Sequence, residues 1–154
     1  QAALDRLDNP HLKIQTIHIA GTNGKGSTVT YLRSVLQDAG YQVGTFTSPY
    51  IETFNERISL NGIPISDDDL AWCANVIKPV VEEINKTNIG PFTEFEIITL
   101  ISFIYFIGYP AQFSYELQHS QSSSEFFFPK TGPAFAGPDK RFICYASSMA
   151  LPIS

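Results

Sequence analysis

I-Q-T-I-H-I-A-G-T-N-G-K-G-S-T, residues 14–28, decides how this chain is read. Ile14, Thr16, Ile17 and Ile19 are strand-formers, and Ala20 leads into Gly21. Gly21 to Ser27 (G-T-N-G-K-G-S) is a glycine-rich turn, and the run after it, Thr28 to Ala39, sets Val29, Leu32, Val35 and Leu36 at helical spacing. Strand, glycine turn and helix in that order make a phosphate-binding loop. Glycines let backbone N–H groups close around an anion without Cβ obstruction, and the helix N-terminus adds partial positive charge. Lys25 has the reach to meet a terminal phosphate oxygen, and Ser27 to meet a phosphate or its Mg²⁺. The pattern departs from G-x-x-x-x-G-K-[ST]: Ile19 stands where the first glycine belongs, and Gly26 separates Lys25 from Ser27.

Outward from this loop, Gly40 is a C′ residue for the helix, and Gln42 to Thr47 (Q-V-G-T-F-T) reads as a second strand. The resulting βαβ unit implies a parallel sheet with ligands at the strand C-terminal ends. Ser48-Pro49 follows at that edge, where Ser48 either approaches a phosphate or is an ordinary turn residue before proline. Ile51 to Asn55 has no clean periodicity and reads as a loop. Arg57 to Ile65 is a hairpin turning on Asn61-Gly62, with Pro64 marking an edge. Glu56 and Arg57, as sequence neighbours, are read as a solvated ion pair or as ligand contacts. Ser66 with Asp69, and Thr93 with Glu96, resemble capping boxes. The first opens a helix that Pro79 kinks or ends; the second opens an apolar helix from Glu94 to Phe106. His18, alone in the first strand, is expected to be packed or hydrogen-bonded rather than catalytic.

I-H-I-A-G-T-N-G-K-G-S-T (17–28) resembles the ATP-binding loop of the folylpolyglutamate synthases and dihydrofolate synthases, Mur-ligase-like ATP-dependent amide ligases. T-S-P-Y (47–50), F-N-E-R-I (54–58) and T-E-F-E (93–96) continue the resemblance in order and spacing, as far as about Phe106. The resemblance implies an α/β fold, an incomplete Rossmann-like P-loop ATPase domain with a hairpin insertion. It implies ATP and Mg²⁺ as cofactors, and a folate or dihydropteroate and L-glutamate as substrates of a monomeric, cytoplasmic ligase. By resemblance, Gly21, Thr22, Asn23, Gly24, Lys25, Gly26, Ser27 and Thr28 bind ATP, with Lys25 the catalytic cation. Ser27 and Ser48 hold the metal, while Phe54, Arg57, Glu94 and Phe95 are candidates for substrate contact. Glu94 has a second reading, as a charge that complements its helix dipole.

Composition narrows the classes further. The 154 residues suffice for one domain with a core, and 44% hydrophobic content is that of a globular protein. A net charge of −5 argues against a nucleic-acid surface. Cys73 and Cys144 form no C-x-x-C, so neither a zinc site nor a disulfide framework is expected. The apolar run 97–109 is shorter than the ~20 residues of a spanning helix, so no membrane association is expected. The start, Q-A-A-L-D-R-L-D, has no apolar signal region and no initiator methionine, so a longer parent chain is expected.

After residue 106 the text changes. Residues 107–154 hold five of the ten prolines and six of the twelve phenylalanines, and neither period persists. The division expected is therefore 1–106, the ATP-binding unit, and 107–154, an atypical tail, non-native or disordered. The family's apolar strand with its acidic metal ligand and glycine pair is not recognisable there. The isolated chain is accordingly expected to bind nucleotide without ligating glutamate. A non-catalytic nucleotide-binding fragment and a small P-loop kinase are the rival readings.

Overall fold

The computed structural model describes residues 1–21, 23–88, 91–108 and 141–146. Thr22 and most of the tail lie outside the described residues. Five strands form one sheet: β1 (Gln15–Ile19), β2 (Gln42–Thr47), β3 (Ile58–Leu60), β4 (Ile63–Pro64) and β5 (Arg141–Ala146). Their order is β1-β5-β2-β3-β4. β5 runs parallel to both β1 and β2, and β3 and β4 continue antiparallel. The fold is α/β with a mostly parallel sheet and flanking helices, as the sequence implied.

Helices α1 (Ala2–Arg6), α2 (Lys25–Asp38), α3 (Asp67–Asn85) and α4 (Glu94–Gly108) cover the two faces. Strand side chains alternate between faces. Val43, Cys144 and Ala146 therefore pack with Val29, Leu32 and Leu36 of α2 on one side. Phe46, Ile58 and Ile143 point to the other, into the larger core of α1, α3 and α4. Burying that surface is the main driving force for the arrangement. Contact of α4 with the sheet requires a glycine. A Cβ on Gly44 would stand 2.6 Å from the Phe106 ring, closer than packed atoms tolerate.

Both helix starts are capped, but only Thr93 and Glu96 form a full capping box. The Ser66 hydroxyl accepts the Asp69 N–H at 3.1 Å, and α3 runs through Pro79 without ending there. Thr93 and Glu96 exchange bonds: the Glu96 carboxylate accepts the Thr93 N–H at 2.8 Å, and the Thr93 hydroxyl accepts the Glu96 N–H at 3.3 Å. Asn61 and Gly62 take positive φ at the β3–β4 turn, as the Asn-Gly pair demands.

Three expectations change. α2 begins at Lys25 rather than Thr28, so the end of the glycine loop is already its first turn. His18 is exposed rather than packed, because among the described strands β1 is an edge of the sheet. Arg141–Ala146, in the segment where no strand was read, lies between β1 and β2. Its signal is a short run, Phe142-Ile143-Cys144-Tyr145, which the surrounding proline and serine outweigh.

Candidate functional site

The site begins with the register of three parallel strands. Ile19 at the end of β1 and Thr47 at the end of β2 both stand beside Ala146 of β5. The glycine loop and Ser48 therefore leave the same sheet edge at the same height. Two inter-strand steps, about 10 Å, separate them.

At the β1 exit, Gly24 is the N-cap of α2 with φ 77° and ψ 0°, a left-handed conformation that favours glycine. Lys25, Gly26 and Ser27 form the first helical turn, where backbone N–H groups lack intrahelical acceptors. The Lys25 ammonium donates to the Gly21 carbonyl at 2.6 Å, folding back across its own loop. Asn23, Gly26 and Ser27 are exposed. The Thr28 hydroxyl donates to the Gly24 carbonyl at 2.9 Å, which ties it to the helix start. Apart from Thr22, all of the expected nucleotide loop is thus placed on one turn at the C-terminal edge of the sheet.

At the β2 exit the structure gathers four more of the expected residues. Arg57 is 6% exposed. Its Nη1 donates to Glu94 Oε1 at 2.8 Å, and its Nη2 to the Ser48 hydroxyl at 3.5 Å, a long contact. Its guanidinium carbon lies 5.5 Å from the centre of the Phe54 ring. Phe54 meets Tyr50 edge-on with ring centres 6.0 Å apart. Phe95 stands apart from this group, tilted against Phe46 at 5.8 Å. It packs towards the core, so its place is that of a wall residue. The Arg57 Nε is buried without a hydrogen-bond partner.

Glu56 and Arg57 do not pair with each other, contrary to the neighbour reading. The 3₁₀ turn Phe54–Arg57 sends them to different partners. Arg57 goes to Glu94, whose carboxylate is largely exposed, so this ion pair is not a stability anchor. Glu56 Oε2 accepts the N–H groups of Ile51 (3.0 Å) and Glu52 (3.2 Å), and Oε1 that of Thr53 (3.1 Å). These backbone bonds, Ile51 first, hold its carboxyl below the usual range. Sequence reading noticed Glu56 only as a neighbour of Arg57. Its signal was the T-x-x-E spacing from Thr53, a capping box read at residues 93–96 and missed at 53–56.

Nucleophilic thiol chemistry is disfavoured. Burial pushes the Cys73 thiol up to about 12 and raises that of Cys144. Among the described residues no three His, Cys, Asp or Glu side chains gather to hold a metal. Ser27 and Ser48 bring neutral hydroxyls only. A Mg²⁺ site usually includes one or two carboxylates beside phosphate oxygens, so these two hydroxyls are at most part of one. No helix among the described residues is long and apolar enough to cross a membrane.

No protein-family model matches the chain. The dihydrofolate synthase/folylpolyglutamate synthase of Bacillus subtilis is 61% identical over 101 residues, 66% of this chain and 24% of the relative. The dihydrofolate synthetase of Saccharomyces cerevisiae is 42% identical over 109 residues, 71% of this chain and 25% of the relative. Among solved structures, the Mycobacterium tuberculosis folylpolyglutamate synthase complexed with ADP and AMPPCP superposes with a TM-score of 0.71. It is 25% identical, over 94% of this chain and 27% of that one. A folylpolyglutamate synthase complex with AMPPCP and folate gives 0.64 at 38% identity, over 68% and 26%. This chain spans about a quarter of the length of the curated relatives it matches. Sequence and fold agree: in its N-terminal part, this chain belongs to the folylpolyglutamate synthase and dihydrofolate synthase family.

Proposed function

We propose that this chain is the ATP-binding portion of an enzyme that ligates L-glutamate to the carboxylate of a folate or dihydropteroate. The observation that carries the proposal is the shared sheet edge, where the glycine loop and Ser48 follow strands that end level on either side of β5. In the proposed reaction the γ-phosphate of ATP goes to the acceptor carboxylate, giving an acyl phosphate. The glutamate amine then attacks the carbonyl carbon and phosphate leaves. Such chemistry needs charge neutralisation and alignment more than a nucleophilic side chain.

The residues divide that work by position. N–H groups of the first turn of α2 receive phosphate oxygens, and Lys25 exchanges the Gly21 carbonyl for a phosphate oxygen. Ser27 and Ser48 would hold Mg²⁺ with the nucleotide; when bound, the ion supplies charge neutralisation at the phosphates. Phe54 offers a ring face to a planar acceptor beside Arg57, whose guanidinium suits a carboxylate. Glu94 keeps Arg57 neutralised until an anionic group replaces it, and Phe95 backs the wall.

A second reading is favoured by one observation. β5, between β1 and β2, carries no carboxylate in R-F-I-C-Y-A, so the metal lacks an acidic donor on that strand. We accordingly infer that this chain alone binds nucleotide without turnover. The division into residues 1–106, the ATP-binding unit, and 107–154, an atypical tail that nevertheless lends β5 to the same sheet, is part of this proposal. So is a monomeric, cytoplasmic parent that engages neither nucleic acid nor membrane.

Ser48→Ala tests the arrangement. Its nucleotide affinity falls more with Mg²⁺ than without it, read by calorimetry with AMPPCP. Equal losses under both conditions would make Ser48 a turn residue and separate the β2 exit from the nucleotide.

A further inference from the structure

The segment between Tyr50 and Phe54 has almost nothing to hold it. Ile51 is 91% exposed, and Glu52 and Thr53 are exposed as well, so no buried side chain anchors these three residues. Their backbone is nevertheless ordered around one group. Both oxygens of Glu56 are turned inward, and three successive N–H groups, Ile51, Glu52 and Thr53, donate to them. The Thr53 hydroxyl lies 3.5 Å from Oε1. Three N–H donors on one carboxylate are more than a helix cap needs.

What this loop spans is the second half of the observation. Tyr50 stands at one end and Phe54 at the other, with their rings in edge contact. Glu56 sits in the same 3₁₀ turn as Phe54 and Arg57, and Arg57 reaches across to Glu94 on α4. The conformation of 51–53 therefore sets the distance between the two rings, and the turn that Glu56 caps sets where the guanidinium points.

We propose that Glu56 is a positioning residue: it clamps the backbone of residues 51–53 and thereby holds the Tyr50–Phe54 ring pair and Arg57 in the arrangement that receives the acceptor. The acceptor half rests on the function proposed above; the clamp itself rests on geometry alone. Glu56 touches no reacting group. A carboxylate is required because each oxygen must accept. Glutamine keeps one acceptor oxygen and puts an N–H₂ where the other stood. A residue that only capped the turn would affect stability and leave acceptor affinity alone.

The test uses the full 154-residue chain, with Glu56→Ala and Glu56→Gln as variants. Amide hydrogen exchange at Ile51, Glu52 and Thr53 is measured, together with calorimetric affinities for dihydropteroate, folate and AMPPCP. The expected result is exchange at the three amides faster by at least about tenfold in Glu56→Ala. Glu56→Gln falls between it and the parent. Dihydropteroate or folate affinity drops in the same order, while AMPPCP affinity stays unchanged. Unchanged exchange in both variants overturns the clamp. Faster exchange with unchanged acceptor affinity overturns the positioning role. Should the parent chain bind neither acceptor, the acceptor half of the proposal falls with the ligase reading, and the exchange data still decide the clamp.

Discussion

Gly24 is the residue on which the nucleotide loop turns. Its φ of 77° is hostile to a side chain, although a Cβ there would meet nothing within 4 Å. Gly24→Ala therefore acts through backbone strain rather than a clash, with an expected cost of about 1–2 kcal/mol. Because the strain falls on the N-cap of α2, AMPPCP affinity should fall together with the thermal midpoint. Unfolding and titration of the same sample check the pair of effects. Arg57 makes a different case. Its partner Glu94 is exposed, so removing the guanidinium leaves no buried carboxylate unpaired. Arg57→Gln should weaken acceptor binding by about tenfold or more, since hydrogen bonds to a charged group are worth roughly 1.5–3 kcal/mol. Stability should shift much less, and comparing the acceptor titration with the thermal midpoint separates the two.

Elements show where sequence patterns suffice and where they do not. β2 and the Asn61-Gly62 turn were readable because strand-formers and positive-φ residues announce themselves locally. The start of α4 was readable from Thr93 and Glu96 for the same reason. Thr93→Ala should cost about 1 kcal/mol, the usual loss for an N-cap, measured by denaturant unfolding. The two boxes also give a pH dependence with a definite sign. Glu96 is held low first by the Thr93 N–H and then by the Thr93 hydroxyl, and Glu56 by the N–H groups of residues 51–53. Folded values below the ordinary 4.5 mean that the unfolded chain takes up protons first as the solution is acidified. Their contribution is full above about pH 4.5 and disappears as pH falls through the lowered values. A chain with both Glu56→Gln and Glu96→Gln should lose stability less steeply in that window, as acid unfolding curves will show. Long-range partners were not legible. Nothing near Arg57 in the sequence names Glu94, 37 positions away, and nothing in Gly44 announces the Phe106 ring. Such contacts are set by the packing of α4 on β2. Gly44→Ala should accordingly destabilise the fold by about 1–3 kcal/mol through overpacking, read as a lower denaturant midpoint.

For the molecule as a whole, the sheet explains why distant motifs act together. The βαβ unit puts the glycine loop and Ser48 at one edge, and β5, inserted between β1 and β2, sets them level and about 10 Å apart. That placement could not be read from composition, because R-F-I-C-Y-A is a short run inside an otherwise patternless segment. The candidate site was more legible than the sheet that assembles it: its residues come in local motifs, whereas strand order is a non-local property. The proposed function stands on the loop at the end of β1 binding the phosphates of ATP through Lys25. Calorimetric titration of AMPPCP with Mg²⁺ into the 154-residue chain and its Lys25→Ala variant tests this most directly. One site is expected in the parent chain, with a loss of about 1.5–3 kcal/mol, roughly ten- to a hundredfold, in the variant. Equal affinity in the two proteins, or no binding by a folded parent chain, would contradict it.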